Sequence, residues 1–217
     1  MKKTIAIIGA AGNMGSGLAR NLARAGYYIL IAGKDQNKLN ELVLGIKQDT
    51  PNAEIEILDC SKEASWEADI IIPAVPFEAQ NEVASKIKDV VTGKIVLNIT
   101  NPLNENYDGL VTNLDSSAAE ELAKLLPHSK IVKAFNTVFA ADFITPQFDG
   151  ETADVFVAGD DDEAVSTVTE LVKDAGFNPL FAGKLKMSRT LENMMVLLIG
   201  LTMRNNYNWL AGWKVLH

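Results

Sequence analysis

Three glycines, Gly9, Gly12 and Gly15, follow the apolar run from Thr4 to Ile8 and open the stretch from Asn13 to Ala25, in which Met14, Leu18, Leu22 and Ala25 recur at helical spacing. Each glycine suits a different demand of such a junction: Gly9 a tight turn, Gly12 close approach of a ligand to the backbone, Gly15 close contact between a helix and the sheet below it. The amides at the start of that helix have no partner within it, so they favour an anion at that end. The chemistry implied is the grip of a dinucleotide by its pyrophosphate.

The spacing is G-x-x-G-x-x-G, one residue longer than the usual dinucleotide fingerprint, and short-chain dehydrogenases share it. Those enzymes carry a lysine four residues after a catalytic tyrosine. None of Tyr27, Tyr28, Tyr107 and Tyr207 has one. The second position of interest is AGKDQNKL, where the second strand ends. An acid there holds the adenosine ribose of NAD, whereas a cation favours the extra phosphate of NADP. Gly33 leaves the acid's place open and Lys34 and Lys38 supply charge, which favours NADP. Asp35, in a slipped register, would be presented to the ribose instead, and both lysines could also be plain surface residues.

The chemistry that is missing is equally informative. Alcohol oxidation needs a group to take the hydroxyl proton, commonly a histidine. Of the two histidines, His217 is the last residue and His128 lies in LLPHSK, a loop entering a strand away from the proposed site. No catalytic side chain can be named. Hydride transfer to a flavin or deazaflavin makes no such demand, because the acceptor ring delocalises the charge. The single cysteine, Cys60, excludes an intramolecular disulfide and a cysteine metal cluster. The acids of GDDDEA read as caps of a following helix, and no metal is expected.

Positioning such a site requires strands that end at one rim. Apolar runs recur at Thr4 to Ile8, Tyr28 to Ala32, Glu54 to Leu58, Asp69 to Ala74, Lys94 to Ile99 and Ile131 to Ala134. Helical stretches alternate with them: Asn13 to Ala25, Gln36 to Lys47, a short one at Ser61 to Trp66, Phe77 to Asp89, and Ser117 to Leu126. Ser117 and Glu120 form a capping-box pattern, and Pro76 suits a first helical turn. Alternation of this kind predicts an α/β, Rossmann-type, doubly wound parallel sheet. After a turn-rich passage come a strand DVFVAG, a helix from Asp161 to Ala175, a strand NPLFAG and a helix from Leu185 to Leu210. The expected division is 1–140 for the dinucleotide-binding domain and 141–217 for a small α/β C-terminal region serving substrate or dimerisation. Met187, Leu191, Met194, Met195, Leu198 and Leu201 give the last helix an apolar face, for a core, a dimer seam or the wall of a cleft.

The chain has 217 residues and a net charge of −8. Nucleic acid, which wants a basic face, is excluded as a partner. The apolar run of Met194 to Met203 is about half of what a bilayer span needs. Met1-Lys2-Lys3 resembles the start of a leader, but its apolar run is short and ends in glycines. A cytoplasmic protein with no membrane insertion is expected.

Taken together, IIGAAGNMGSGLA, AGKDQNK, IIIPAVPFEA, VLNITNPL, KIVKAFNTVFA, VAGDDDEA, AGKLKMSRTLENM and the closing GWKVL resemble the family of NADP oxidoreductases dependent on coenzyme F-420, a deazaflavin, over nearly the whole chain. KAFNT and SRTLEN are also similar to the reductase domain of the STEAP metalloreductases. The resemblance implies an NADP(H)-dependent oxidoreductase, a homodimer, passing hydride to a small-molecule acceptor, coenzyme F-420 or FMN/FAD. A dinucleotide-binding redox sensor, or a reductase of a small imine or carbonyl, is the alternative. By the resemblance Gly9, Ala11, Gly12, Asn13 and Met14 line the pyrophosphate, Gly33, Lys34 and Lys38 the adenosine phosphate, and Val75 and Pro76 the nicotinamide. Asn98, Asn101 and Asn136 would offer polar groups to the carboxamide or the acceptor ring. Ser188, Arg189 and Glu192 match a family motif, although Arg189 and Glu192 could also simply pair at i, i+3. Relatives can carry histidine in place of Asn136 and arginine in place of Lys34.

Overall fold

The computed structural model describes residues 2–216, so His217 and Met1, weighed above as a base and as the start of a leader, lie outside it. Strands β1 (Thr4–Ile8), β2 (Tyr28–Ala32), β3 (Ile55–Ile57), β4 (Ile70–Pro73), β5 (Ile95–Asn98) and β6 (Lys130–Lys133) lie parallel in the order β3-β2-β1-β4-β5-β6. Their isoleucine, valine and leucine side chains are needed on both faces, since a parallel sheet is covered on both. Ile5, Ile7, Ile29 and Ile31 point to one layer, where they meet Leu18 and Leu22 of α1 (Asn13–Arg24) and Leu39 and Leu42 of α2 (Gln36–Asp49). Ala6, Ile8, Leu30 and Ile71 point to the other. There they meet Ala64 of α3 (Ser61–Glu67), Val83 and Ile87 of α4 (Gln80–Ile87) and Leu122 of α5 (Ala118–Leu125).

The chain then makes a small hairpin of β7 (Gln147–Phe148) and β8 (Glu151–Thr152). Strands β9 (Asp154–Gly159) and β10 (Asn178–Gly183), joined by α6 (Asp162–Asp174), extend the main sheet beyond β6. β9 runs antiparallel to β6, with Val132 opposite Gly159 and Lys133 opposite Ala158. Asp161 caps α6 by accepting from the Ala164 amide at 2.9 Å, the capping role read in GDDDEA. A turn of 3-10 helix at Leu185–Met187 leads into α7 (Ser188–Asn205), which the chain leaves to return along β9, Asp154 donating its amide to the Trp213 carbonyl at 2.8 Å.

Two boundaries differ from expectation. The last helix stops at Asn205 instead of Leu210, because Asn206 takes a left-handed φ of 57° and Asn208 and Trp209 follow at 52° and 60°. Asparagine tolerates that region and so ends a helix where an apolar periodicity would continue it. The helix expected from Phe77 to Asp89 is α4 flanked by 3-10 turns at Phe77–Ala79 and Lys88–Val90, and Pro76 is the cap ahead of the first turn. Among the described residues no helix is long and apolar enough to cross a membrane.

Candidate functional site

The strand order reverses at β1, whose neighbours β2 and β4 lead the chain in opposite directions. At such a point the loops leave a crevice beyond the strand ends. Gly9 stands there with φ of 85°, its amide 2.7 Å from the Ala32 carbonyl, and a Cβ on it would lie 2.5 Å from the Ala74 carbonyl oxygen. A Cβ on Gly15 would lie 2.7 Å from the Gly9 oxygen and 2.8 Å from Ala10 Cα, so α1 can seat only on glycine there. Gly12 is the N-cap of α1. It has no side chain to cap the helix, and the first turn carries no acidic residue. Asn13 and Gly12 are exposed and Ala11 and Met14 half-buried, and the Gly12 amide donates to the Gly9 carbonyl at 3.0 Å within the turn.

At the end of β2, Gly33 packs against Leu39, with a Cβ in ordinary contact at 3.6 Å. Asp35 caps α2, accepting from the Lys38 amide at 3.1 Å, which turns its carboxylate toward the helix. Lys34 reaches into solvent with its side chain 93% exposed, 3.9 Å from Glu82, and Lys38 lies 3.7 Å from Asp35. Val75 is half-buried and Pro76 exposed beyond the end of β4.

A cavity of about 520 Å³ opens past the ends of β5 and β6, walled by Ile99, Val138, Phe139, Met195, Ile199 and Trp209. Asn13 and Met14 of the glycine turn reach its edge. Asn101 and Asn136 supply polar groups and engage each other reciprocally. Asn101 Nδ2 donates to the Asn136 carbonyl at 2.7 Å, and Asn136 Nδ2 donates to Asn101 Oδ1 at 2.9 Å and to the Leu191 carbonyl at 3.0 Å. The described residues lining this cavity include no histidine, lysine, arginine or carboxylate. Of the apolar face read on the last helix, Met195 and, beside it, Ile199 form the cavity wall, while Leu191 and Leu198 are buried. His128 is exposed at the opposite, entering end of β6, its carbonyl accepting from Gly93.

Beneath the cavity lies a closed ring of buried hydrogen bonds. Lys133 Nζ donates to Glu192 Oε1 at 2.7 Å and to Asn98 Oδ1 at 2.8 Å. Asn98 Nδ2 donates to Gln80 Oε1 at 3.0 Å, Gln80 Nε2 to the Ala118 carbonyl at 3.0 Å, and the Ala118 amide to Glu192 Oε2 at 3.1 Å. Lys133 also reaches the Thr100 carbonyl. Both ions of the pair are fully buried. Burial pushes the Lys133 ammonium below its ordinary pKa while Glu192 opposes that shift. Asn98, expected to face a ligand, is only 1% exposed and spends both polar atoms in this ring. The ring therefore fixes β5, β6, α4, α5 and α7 relative to one another. Nor do Arg189 and Glu192 pair along the helix: Arg189 forks onto Glu120 at 2.9 and 2.6 Å, and Ser117 caps α5 by accepting from the Glu120 amide. Arg189 holds the Glu120 carboxyl below its usual range.

Asp142 was not singled out by the sequence. It is fully buried beside the cavity wall, accepts from the Phe139 amide at 2.7 Å, and burial raises its carboxyl to about 7. Lys133 and Gln80 were missed too, although a lysine inside the apolar run KIVKAF was a visible signal.

Residues 4–102 match the family described as NADP oxidoreductase, coenzyme F420-dependent. The F420-dependent NADP reductase of Methanocaldococcus jannaschii is 33% identical over 210 residues, covering 92% of each chain. Metalloreductase STEAP3 of Rattus norvegicus is 29% identical over 87% of this chain, which spans 35% of that protein. A crystal structure from Arthrobacter sp. fb24 shares the fold with a TM-score of 0.83 at 22% identity, covering 98% of this chain and 99% of its own. From the full-length identity to the archaeal reductase, the chain belongs to the family of coenzyme F420-dependent NADP oxidoreductases.

Proposed function

We propose that this protein transfers hydride between NADP(H) and a flat tricyclic acceptor, a deazaflavin or a flavin, held in the cavity beyond β5 and β6. The reading is carried by one observation: the cavity adjoining the glycine turn is walled by apolar residues, three asparagines and the phenol of Tyr107, with no histidine, lysine, arginine or carboxylate among them. An enzyme that moves a substrate proton commonly uses one of these four. When both are bound, the nicotinamide and the acceptor ring supply the redox chemistry themselves.

The protein's residues then bind, orient and exclude water. The amides of Ala11, Asn13 and Met14 meet the pyrophosphate, Gly12 lets it approach the backbone, Gly9 and Gly15 keep the turn and helix close to the sheet, and the helix dipole favours the charge. Gly33 leaves room at the ribose, and Lys34 and Lys38, both largely exposed, meet the adenosine phosphate. The capping role of Asp35 supports NADP over NAD, since its carboxylate is committed to α2. Val75 and Pro76 border the nicotinamide. Asn101 and Asn136 hold polar edges of the rings, with Asn98 behind them as a positioning residue. Met195, Ile199 and Trp209 form the dry wall that keeps two stacked rings at reacting distance, roughly 3 to 3.5 Å.

Anaerobic NADPH consumption by the purified protein, with coenzyme F420 in one cuvette and FMN in another, tests this. Turnover in either is the expected result. NADPH binding without turnover in both would overturn the proposal and leave a sensor.

A further inference from the structure

Residues 206–213 leave the end of α7 as a strap beside the cavity. Trp209 joins the cavity wall and meets Phe139 edge to face, with ring centroids 5.5 Å apart. Ala211 and Trp213 pack onto Phe139, Met195, Leu198 and Ile199. The ends of the strap are tied. Tyr207 donates its amide to the Thr202 carbonyl at 3.1 Å, and just past the other end the Val215 amide donates to Asp154 Oδ2 at 2.6 Å. Between these ties stand the left-handed Asn208 and Trp209, the second in a conformation that a bulky residue holds only at a cost. The seat is poorly satisfied as well: Asp142 Oδ1, Thr202 Oγ1 and Trp213 Nε1 are buried with no hydrogen-bond partner. Three such atoms weigh against the closed position, since water meets them once the strap lifts.

One carboxyl joins the strap to the cavity wall. Asp142 lies in the 3-10 turn Ala140–Phe143, and Phe139, Ala140 and Ala141 beside it line the cavity. Its Oδ2 accepts from the Phe139 amide at 2.7 Å, and the Ala211 amide of the strap likewise favours the ionised carboxyl. Burial outweighs both amides, and no charged side chain enters the balance. On the elements packed around it, Arg20 and Arg24 of α1 border a separate groove with Phe143 and Ile144, Arg20 turned to Asp49. Arg204 of α7 lies over Gly200, Lys214 pairs with Glu151 and Asp154, Asp154 also accepts from Asn178, and Asp149 is exposed at the hairpin.

We propose that this strap opens and closes the cavity, with Asp142 as the latch between the two. Access is at issue, whatever ring the cavity holds, so the gate goes beyond the hydride-transfer reading and stands or fails apart from it. The sign of its pH response follows from the proton. With the strap seated the carboxyl titrates at about 7, and with the strap lifted water restores the ordinary 3.8. Deprotonation therefore favours the lifted strap. The opening equilibrium rises between about pH 4 and about pH 7 by at most about tenfold per pH unit, the limit for one proton.

Hydrogen exchange of the whole protein, followed amide by amide by NMR, tests the latch, each rate being divided by that of a free amide at the same pH. Protection of the Leu210 and Ala211 amides should fall about tenfold or more from about pH 5 to about pH 8, while staying below that of the β1 amides. In Asp142→Asn it should not change with pH. Strap protection that ignores pH in the wild type, keeps its pH dependence in Asp142→Asn, equals that of β1 throughout, or is nil at every pH would overturn the latch. Entry of a neutral apolar dye, N-phenyl-1-naphthylamine, mixed rapidly with the protein, tests the gate. Association should quicken as pH rises over the same window, and in Trp209→Ala it should be fast at every pH. Entry that ignores pH in the wild type, or no entry at any pH, would overturn the gate.

Discussion

The glycine turn and the ring of bonds around Lys133 lie a few strands apart on the same sheet and are built on opposite principles. The turn is made of backbone: its specificity comes from the absence of side chains, and Gly9 and Gly15 are each required by a named close contact. The ring is made of side chains drawn from β5, β6, α4 and α7 and from the first amide of α5, and no two of its side chains are close in sequence. A ligand site can therefore rest on local chemistry on one side and on long-range burial on the other. The two should fail differently when changed.

The largest effect is expected in the ring. Lys133→Met or Glu192→Leu alone leaves a buried ion without its counter-ion and should cost about 3–5 kcal/mol of stability, whereas the double substitution should cost clearly less than either. Urea unfolding of the three variants checks this, and a double variant as unstable as the sum of the singles would contradict it. In the turn, Gly9→Ala forces a left-handed alanine onto the Ala74 carbonyl and should cost about 3 kcal/mol. Gly12 has an ordinary φ of −76°, and a Cβ there would sit 3.4 Å from the Gly9 oxygen. Gly12→Ala should therefore change stability by less than about 1 kcal/mol yet weaken NADPH, which calorimetry beside the same unfolding curves can separate.

Asp142 behaves as the ring does, through burial. Its folded pKa of about 7 stands above its ordinary 3.8, so the folded protein holds the proton more tightly than the unfolded chain. Its contribution is most favourable below about pH 4, declines as pH rises between about 4 and 7, and stays unfavourable above that. Asp142→Asn should flatten the stability profile across that window, as thermal unfolding over a pH series would show.

Smaller effects are expected at the exposed charges. Lys34→Ala should weaken NADPH about tenfold and NADH little, since a point charge on phosphate in water is worth on the order of 1–2 kcal/mol. Equal losses for both nucleotides would remove Lys34 from the phosphate. Arg189→Ala gives up a forked but partly exposed pair with Glu120 and should shift the unfolding curve only slightly.

The same contrast explains what could be read in the sequence. Strand–helix alternation, the glycine spacing, the Asp161 cap and the short helix α3 were legible because each is local. The end of α7 was not: the apolar face continues past Asn205 in periodicity, but NNYN breaks the backbone. Asn98 was misplaced as a residue facing a ligand because a strand end does not reveal whether its last side chain points to the rim or into the layer. Lys133 and Glu192 were each visible, but their pairing spans β6 and α7 and follows only from topology. The Gly12 and Lys34 variants above test the roles given to the glycine turn and to the adenosine phosphate.

The most direct test of the central claim follows the hydrogen itself. NADPH deuterated at C4, prepared in each of its two stereochemical forms, is oxidised anaerobically with 5-deazariboflavin, whose C5 keeps whatever hydrogen it receives. The account predicts that one of the two labelled forms, and only one, delivers its deuterium to the reduced ring, seen by mass spectrometry. Reduced ring without deuterium from either form, or no reduction at all, would contradict direct transfer between two stacked rings in this cavity.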